Sequence, residues 1–406
     1  MDHRTFEQSC FYLNGPVSSG TMDLPSLLLN LIAVYVSARL FGELAARLGQ
    51  PAVLGELLAG VLVGGSLLGW VEATPTLKLL GDIGVLLLLF EVGLESDLAA
   101  FLKAGPSAGT VAVVGVFVPF GLTYALARAL ALPHFQALFL GATMTATSVA
   151  ISVRTLADLG RLKSVDGAII LGAAVLDDIL GMILLSVMLD LAAHGSVSWL
   201  GVAQTAGLAC LLLGASVAVG VHYAHWFSRL LDRMQTRGSL VISSLLFALG
   251  LGYGAHLLHL APLIGAFAAG LVLARTGHRA QITTAIKPVA DVFVPVFFVL
   301  IGAAVDLSRL NPFVLENWPS LALAGGLTGA AIAGKLAAGL GAWGPGVRRW
   351  IVGAGMVPGG EVVLIFAGAG LAQAVFSTAE YGAVVVSVTL TSLASPLLLK
   401  RLSKPA

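Results

Sequence analysis

Two adjacent carboxylates, Asp177 and Asp178, interrupt the otherwise apolar run Leu171–Gly181. An ionised carboxylate at the centre of a membrane-spanning helix costs about 2.5–3.5 kcal/mol on insertion scales, so two together must face a polar cavity. Acids at this depth typically bind a cation or a proton, which would make the pair the ligands of a monovalent metal cation. A pair locked in salt bridges for packing alone is the structural alternative.

One lysine, Lys335, lies deep in another apolar stretch and also needs a partner of opposite charge. The aspartate pair is the first candidate for that partner, and Glu361 is the second. Because adjacent residues of a helix point about 100° apart, one aspartate can meet Lys335 while the other faces a pathway. The pattern predicts a site for cations or protons, with no cofactor.

The composition predicts an all-α polytopic membrane protein. Of the 406 residues, 58% are hydrophobic and 11% charged, and the mean hydropathy is +0.96, whereas about 25% are charged in soluble domains. A net charge of +1 without a basic block excludes nucleic-acid binding as the main role. Two cysteines exclude a disulfide-rich scaffold. We expect a poorly ordered leader at 1–23, a transporter domain at 24–402 and a short tail at 403–406.

Hydrophobic runs long enough to cross a bilayer predict about 13 spans. We place them at 24–47, 52–70, 79–96, 107–130, 135–158, 165–192, 199–226, 239–258, 260–275, 285–306, 318–342, 347–372 and 380–402. With the N-terminus outside, 15 of the 22 Lys and Arg residues fall in cytoplasmic connections, 4 fall outside and three fall within spans. The positive-inside rule then predicts a cytoplasmic C-terminus, in a bacterial inner membrane.

The chain contains an internal repeat with an offset of 209 to 210 residues. Matching glycines are Gly55 and Gly265, Gly60 and Gly270, Gly93 and Gly302, and Gly160 and Gly370. The offset covers an odd number of spans, so the second half, 260–402, must be inverted relative to the first, 50–192. Two inverted five-helix repeats are typical of secondary transporters, whose substrate binds near the midplane. Asp177 and Asp178 map onto Ser387 and Val388, which predicts one site per protomer.

Two spans are predicted to be broken at equivalent positions of the two halves. Hydroxyl residues at Thr145–Ser148 interrupt the first, and Pro358, Gly359 and Gly360 interrupt the second. Free backbone groups at this depth are tolerated only where they line a cavity, and half-helix ends suit ions. Hydroxyls that bond back to their own helix are the alternative explanation for Thr147 and Ser148.

These residues resemble the bacterial monovalent cation:proton antiporters, the sodium/proton exchanger type with two adjacent aspartates. The resemblance covers residues 24–402 and rests on the motifs Gln50–Glu56, Gly84–Glu95, Ala146–Val149, Leu176–Gly181, Pro262–Phe267 and Phe297–Gly302. It implies a homodimer in which a core domain with crossed broken helices moves against a static dimerisation domain. It also implies roles for Asp178 in ion binding, for Asp177 in pairing with Lys335, for Thr147 and Ser148 beside the ion, and for Glu361 after the second break.

We therefore expect an antiporter, not an enzyme, that exchanges Na⁺ or Li⁺ for protons by electrogenic alternating access. Potassium/proton antiport on the same scaffold is the nearest alternative, and organic-anion symport is a more distant one. An intramembrane aspartyl protease needs its two aspartates on separate helices, and the sequence shows nothing like a channel's carbonyl filter. In related exchangers an arginine often occupies the position of Gly359, so the role of Glu361 and the choice of cation stay open.

Overall fold

The computed structural model describes residues 24–96, 98–194, 239–257, 261–304 and 318–403, with four further residues between 203 and 211. Every regular element in these ranges is a helix, as predicted. The predicted leader, most of the predicted span 199–226 and the end of the tail lie outside the described residues. The count of thirteen spans therefore stays a prediction.

The described residues form fourteen α-helices, seven in each half of the chain. The first seven are α1 (Leu24–Arg47), α2 (Ala52–Val63), α3 (Pro75–Glu95), α4 (Leu98–Ala129), α5 (His134–Thr143), α6 (Val149–Asp158) and α7 (Val165–His194). The second seven are α8 (Ser239–Leu257), α9 (Pro262–Leu273), α10 (Arg279–Ala303), α11 (Trp318–Ala338), α12 (Arg349–Met356), α13 (Glu361–Ala372) and α14 (Thr378–Ser403). Seven helices are long and apolar enough to cross a membrane, namely α1, α4, α7, α8, α10, α11 and α14.

Most helix boundaries lie within a few residues of the prediction, but α4 begins at Leu98 and α10 at Arg279, well before the predicted spans 107–130 and 285–306. The span predicted at 52–70 stops at Val63, because Gly64 is extended and the chain then turns. The spans predicted at 135–158 and 347–372 are each two half-helices, α5 with α6 and α12 with α13. The predicted broken helices are thus confirmed, and both breaks fall at the residues expected from the hydroxyl and Pro-Gly-Gly segments.

Glycine contacts join the two halves in matching pairs. A Cβ on Gly60 of α2 would meet the carbonyl of Val299 and the Cα of Gly302 on α10. A Cβ on Gly93 of α3 would meet the carbonyl of Phe267 and the Cα of Gly270 on α9. The repeat offset exchanges these two contacts with each other, and small residues allow such close approach between membrane helices. The packing therefore has the two-fold character of an inverted repeat.

The equivalence of the halves begins one helix earlier than the sequence indicated. Gly55 of α2 packs against the carbonyl of Phe41 on α1, and Gly265 of α9 packs against the carbonyl of Leu251 on α8. Both members of each contact are related by the same offset of 210 residues. Helices α1 and α8 thus belong to the repeats, although residues 24–49 were expected to precede them.

The helices separate into two groups that pack closely within themselves. The scaffold group consists of α1–α3 and α8–α10, and the core group consists of α4–α7 and α11–α14. Between the groups, α6 packs on α2 and α3, and α14 packs on α2. We call the end of the bundle where α1, α3 and α6 end the near face, and the opposite end the far face.

Candidate cation and proton site

The two broken helices cross, and their gaps are joined by hydrogen bonds. The Ser148 amide donates to the Pro358 carbonyl at 2.7 Å, and the Thr147 hydroxyl donates to the Met356 carbonyl at 3.2 Å. Ser152 of α6 donates its hydroxyl to the Gly355 carbonyl. Backbone groups that have lost their partner within an interrupted helix are thereby hydrogen-bonded by residues of the other broken helix. Buried polar groups require such partners.

Helix α14 supports the second break from behind. The Gly359 amide donates to the Thr391 hydroxyl at 3.3 Å, and the Ser392 hydroxyl donates to the Gly359 carbonyl at 2.7 Å. A Cβ on Gly360 would collide with the side chain of Ser148, so the crossing needs glycine there. Sequence reasoning missed Thr391 and Ser392, although buried hydroxyls in an apolar helix were the available signal.

Lys335 of α11 pairs with Asp177 of α7 at this crossing. The lysine Nζ lies 3.3 Å from both carboxylate oxygens and 2.6 Å from the Thr147 hydroxyl. Lys335 and Asp177 are each 1% exposed. The Thr147 amide also faces the Asp177 carboxylate. A buried ion pair persists only when further hydrogen bonds satisfy its remaining donors and acceptors, and Thr147 supplies them.

Asp178 and Ser148 are buried at the same crossing, with exposures of 5% and 1%. Asp178 leaves α7 about 100° from Asp177, and its charge acts on Lys335 from there. The Ser148 hydroxyl has no hydrogen-bond partner among the described residues. Both hydroxyls were predicted to lie beside the ion. The Thr147 hydroxyl is hydrogen-bonded to Lys335 and to the Met356 carbonyl, whereas the Ser148 hydroxyl has no partner among the described residues.

Glu361, the alternative partner of Lys335, is the first residue of α13. Its side chain lies outside the described part of the chain, so its predicted supporting role stays a prediction. Pro358, Gly359 and Gly360 form the gap between α12 and α13, as expected. The structure thus brings Asp177, Thr147 and Lys335 into direct contact.

A second group of charges, which sequence reasoning did not assemble, lies at the near face. Arg154 of α6 approaches Glu56 of α2 at 3.8 Å and Asp158 of its own helix at 3.5 Å. Glu56 is buried, with an exposure of 6%. The signal that could have found this group is Arg154 itself, a cation within an apolar span.

A cavity of about 440 Å³ adjoins this group, between α3, α6 and α10. Its charged lining residues are Glu91, Glu95, Arg154, Asp158, Lys163, Lys287 and Asp291. Neither Asp177 nor Asp178 contributes to its lining among the described residues. The cavity is therefore a charged vestibule between core and scaffold, separate from the carboxylate pair.

Comparison with known proteins decides the family. The family described as "Sodium/hydrogen exchanger, transmembrane" matches residues 32–404. The chain belongs to the sodium/hydrogen exchanger family. It is 39% identical to the high-affinity Na⁺/H⁺ antiporter NhaS3 of Synechocystis sp., over 92% of this chain and 89% of the relative. It is 36% identical to the Na⁺/H⁺-K⁺ antiporter GerN of Bacillus cereus, over 90% of this chain and 94% of the relative.

Solved structures show that this exchanger shares the fold of a family member. The sodium proton antiporter MjNhaP1 of Methanocaldococcus jannaschii superimposes with a TM-score of 0.68 at 19% identity. The match covers 95% of this chain and 100% of that one. The family and the long apolar helices show a multi-pass membrane transporter, and the structural match shows that it has the helical fold seen in MjNhaP1.

Proposed function

We propose that this chain exchanges a monovalent cation, Na⁺ or Li⁺, for protons across the membrane. The observation that carries the proposal is the burial of two adjacent acids at the crossing of the broken helices, where one of them pairs with Lys335. Lys335 contacts Asp177. Asp178 is buried at the same crossing, as is Ser148, whose hydroxyl has no hydrogen-bond partner among the described residues. Such an arrangement offers a dehydrated small cation a carboxylate, a hydroxyl and backbone carbonyls, which are the oxygen ligands it requires.

Exchange follows from competition at this site. Two carboxylates that share a site titrate as a pair, and the pair binds protons or a cation, but not both well. We infer that the cation binds Asp178, with help from Asp177 and Ser148, and that its entry disrupts the Asp177–Lys335 pair. Protons then leave. Asp178 releases its carboxyl proton, and Lys335 releases its ammonium proton once its pair with the ionised Asp177 is broken, which gives two protons per cation and hence net charge movement.

Access to the two sides would alternate as the core group moves against the scaffold group. Support comes from the separate packing of the groups and from the inverted repeat, on which alternating access is commonly built. A homodimer formed through the scaffold would hold that group still. In the predicted orientation the near face is cytoplasmic and the N-terminus is outside.

The decisive experiment measures proton flux in proteoliposomes with an internal pH-sensitive dye while Na⁺, Li⁺ or K⁺ is added in turn. We expect Na⁺ and Li⁺ to drive proton release, and Asp178→Asn to abolish it. Asp190→Asn, the same substitution on the same helix but remote from the crossing, is the matched control and should retain flux. Full flux in the Asp178→Asn protein would overturn the proposal.

The measurement with K⁺ tests the alternative function, potassium/proton antiport. GerN, one of the relatives, is named a Na⁺/H⁺-K⁺ antiporter, so K⁺-driven flux that requires Asp178 would widen the substrate class without changing the mechanism. Dependence of the Na⁺-driven rate on an imposed membrane potential tests the two-proton stoichiometry. A rate that is independent of the potential would indicate one proton per cation.

A further inference from the structure

Charged side chains make several of the contacts between core and scaffold at the near face. Arg154 of the core helix α6 lies 3.8 Å from Glu56 of the scaffold helix α2. Asp158 Oδ2, at the end of α6, accepts a hydrogen bond from the Val53 amide at 3.4 Å, and the Ala52 amide also faces it. Because the N-terminus of a helix carries partial positive charge, an acid there is stabilising. Helix α6 thus presents a cation to the buried acid of α2 and an anion to its N-terminus.

Two lysines of the core extend this pattern to the C-termini of scaffold helices. Lys163, between α6 and α7, lies 3.4 Å from Glu95, the last residue of α3. Lys400, near the end of α14, has its Nζ beside Gly49, which follows the C-terminus of α1. Cations favour helix C-termini, where the partial charge is negative. Core charges therefore match the ends of three scaffold helices.

The far face lacks the counterparts of the central contacts. The repeat offset of 210 places Leu364 at the position of Arg154, Gly368 at Asp158, Ala266 at Glu56 and Pro262 at Ala52. Neither ion pair can form between such residues, and Pro262 has no N–H to donate. Scaffold charges, by contrast, are repeated, since Lys78 and Asp82 of α3 correspond to Lys287 and Asp291 of α10. The asymmetry is thus specific to the α2–α6 contact.

Helix packing shows the same asymmetry. Helix α6 packs on α2 and α3, whereas α13, its equivalent, does not pack closely on α9 or α10 within the described residues. In an inverted repeat the two halves exchange conformations when access switches sides. The opposite access state would therefore dock α13 on α9 through uncharged residues.

We propose that Glu56, Arg154 and Asp158 form a latch on one side of the protein. The latch stabilises the arrangement seen here, with α6 docked on α2, relative to the arrangement in which the site opens to the other side of the membrane. The latch rests on the proposed function, because it presupposes that core and scaffold move. Its residues contact one another and the N-terminus of α2, apart from the Asp177–Lys335 pair, so they act on the equilibrium between access states. A ligand-free chain should accordingly favour the docked arrangement of α6 on α2.

Distance measurements between core and scaffold test the latch. Spin labels are attached at Val165→Cys of α7 and Thr284→Cys of α10, both exposed positions at the near face, after Cys10 and Cys210 are replaced by serine. We expect one dominant distance in the parent protein in lipid nanodiscs. Asp158→Asn and Glu56→Gln should each raise the ratio of a second distance to the first by about tenfold, which equals ~1.4 kcal/mol.

A matched control removes an ion pair at the same face but within the core. Arg161 lies 3.6 Å from Asp166 without crossing to the scaffold, so Arg161→Gln should leave the distance ratio unchanged. Asp158→Asn and Glu56→Gln are nearly isosteric, and Arg154→Gln provides a third variant if one of them elutes as misfolded protein. A ratio equal to the parent's in the correctly folded latch variants would overturn the latch.

Failure of the latch and failure of the proposed function give different results. If Asp178→Asn abolishes cation-driven proton flux while the latch variants keep the parental distances, only the latch is wrong. If Asp178→Asn retains full flux while the latch variants shift the distances, the exchange mechanism is wrong and the contact still controls the arrangement of the two groups.

Discussion

Two neighbouring acids, Asp177 and Asp178, are buried at the crossing and determine the chemistry available there. Asp177 is held by Lys335, and the Thr147 amide faces its carboxylate. An ion pair fully withdrawn from water is held together by attraction in a low dielectric, but each member depends on the other. Removal of one partner leaves the other as an uncompensated buried charge. A cation that enters beside the pair weakens the attraction between Asp177 and Lys335 in the same way.

Lys335→Gln should lower the free energy of unfolding by about 3–5 kcal/mol, because Asp177 is left uncompensated. The double variant Lys335→Gln with Asp177→Asn should recover most of that loss, since no buried charge remains. Thermal denaturation in detergent, followed as loss of monodisperse protein, measures both. Lys163→Gln, which alters an exposed pair, is the control and should change little. If the single and double variants lost the same free energy of unfolding, Lys335 would not be the charge partner of Asp177.

The two hydroxyls at the first break should respond differently to substitution. Thr147→Val removes a hydroxyl bonded to Lys335 and Met356, and should reduce stability by about 1–3 kcal/mol. Ser148→Ala removes an oxygen with no partner among the described residues, so stability should stay within about 0.5 kcal/mol.

Ser148→Ala should instead raise the apparent KM for Na⁺ by roughly fivefold, since one of several oxygen ligands is lost. Initial rates of proton flux against Na⁺ concentration give this value. An unchanged KM together with reduced stability would show that Ser148 is structural and not a ligand.

Packing between helices depends on backbone contact at glycine. The contacts of Gly60 with Gly302 and of Gly93 with Gly270 tie α2 to α10 and α3 to α9. Without aqueous solvent, membrane helices associate through such close packing and not through the hydrophobic effect. The scaffold is thereby joined across the two halves, which suits a group that stays in place while the core moves.

Gly60→Ala should destabilise the protein by about 1–3 kcal/mol, because its methyl group would overlap the Val299 carbonyl. Gly109→Ala is the matched control, since it is also helical but has open space around its Cα. Alanine there should be neutral or stabilising by about 0.5–1 kcal/mol. Thermal denaturation of both variants in detergent measures these changes in stability. Equal changes in the Gly60→Ala and Gly109→Ala proteins would rule out the close approach of Gly60 to Val299.

Across the whole molecule, a symmetric fold contains asymmetric chemistry. Within the described residues the helices of the two halves correspond one to one, yet the acid pair occurs in α7 alone and the Arg154 cluster at the near face alone. In the proposed mechanism the chain has a single cation site, and cation binding there would stabilise the assembled site as a unit. Ligand binding should therefore be visible in global stability.

Na⁺ should raise the thermal stability of the protein through linkage, by about 2.7 kcal/mol at a concentration 100 times its Kd. Choline at the same ionic strength is the salt control and should have no such effect. Asp178→Asn should abolish the Na⁺-specific increase. An undiminished increase in that variant would place the cation elsewhere.

The sequence by itself determined the membrane class, the inverted repeat, both helix breaks and the aspartates, lysine and first-break hydroxyls of the crossing, but not Thr391 and Ser392 behind it. These features depend on local properties, namely hydrophobic length, an odd number of spans and residues such as Pro358 that end helices. Only the tertiary structure decided that Lys335 meets Asp177, that the Thr147 hydroxyl is hydrogen-bonded while that of Ser148 has no partner among the described residues, and that Arg154 meets Glu56. Partners more than 90 residues apart in the chain are fixed by the crossing and rotation of packed helices, which local pattern does not encode.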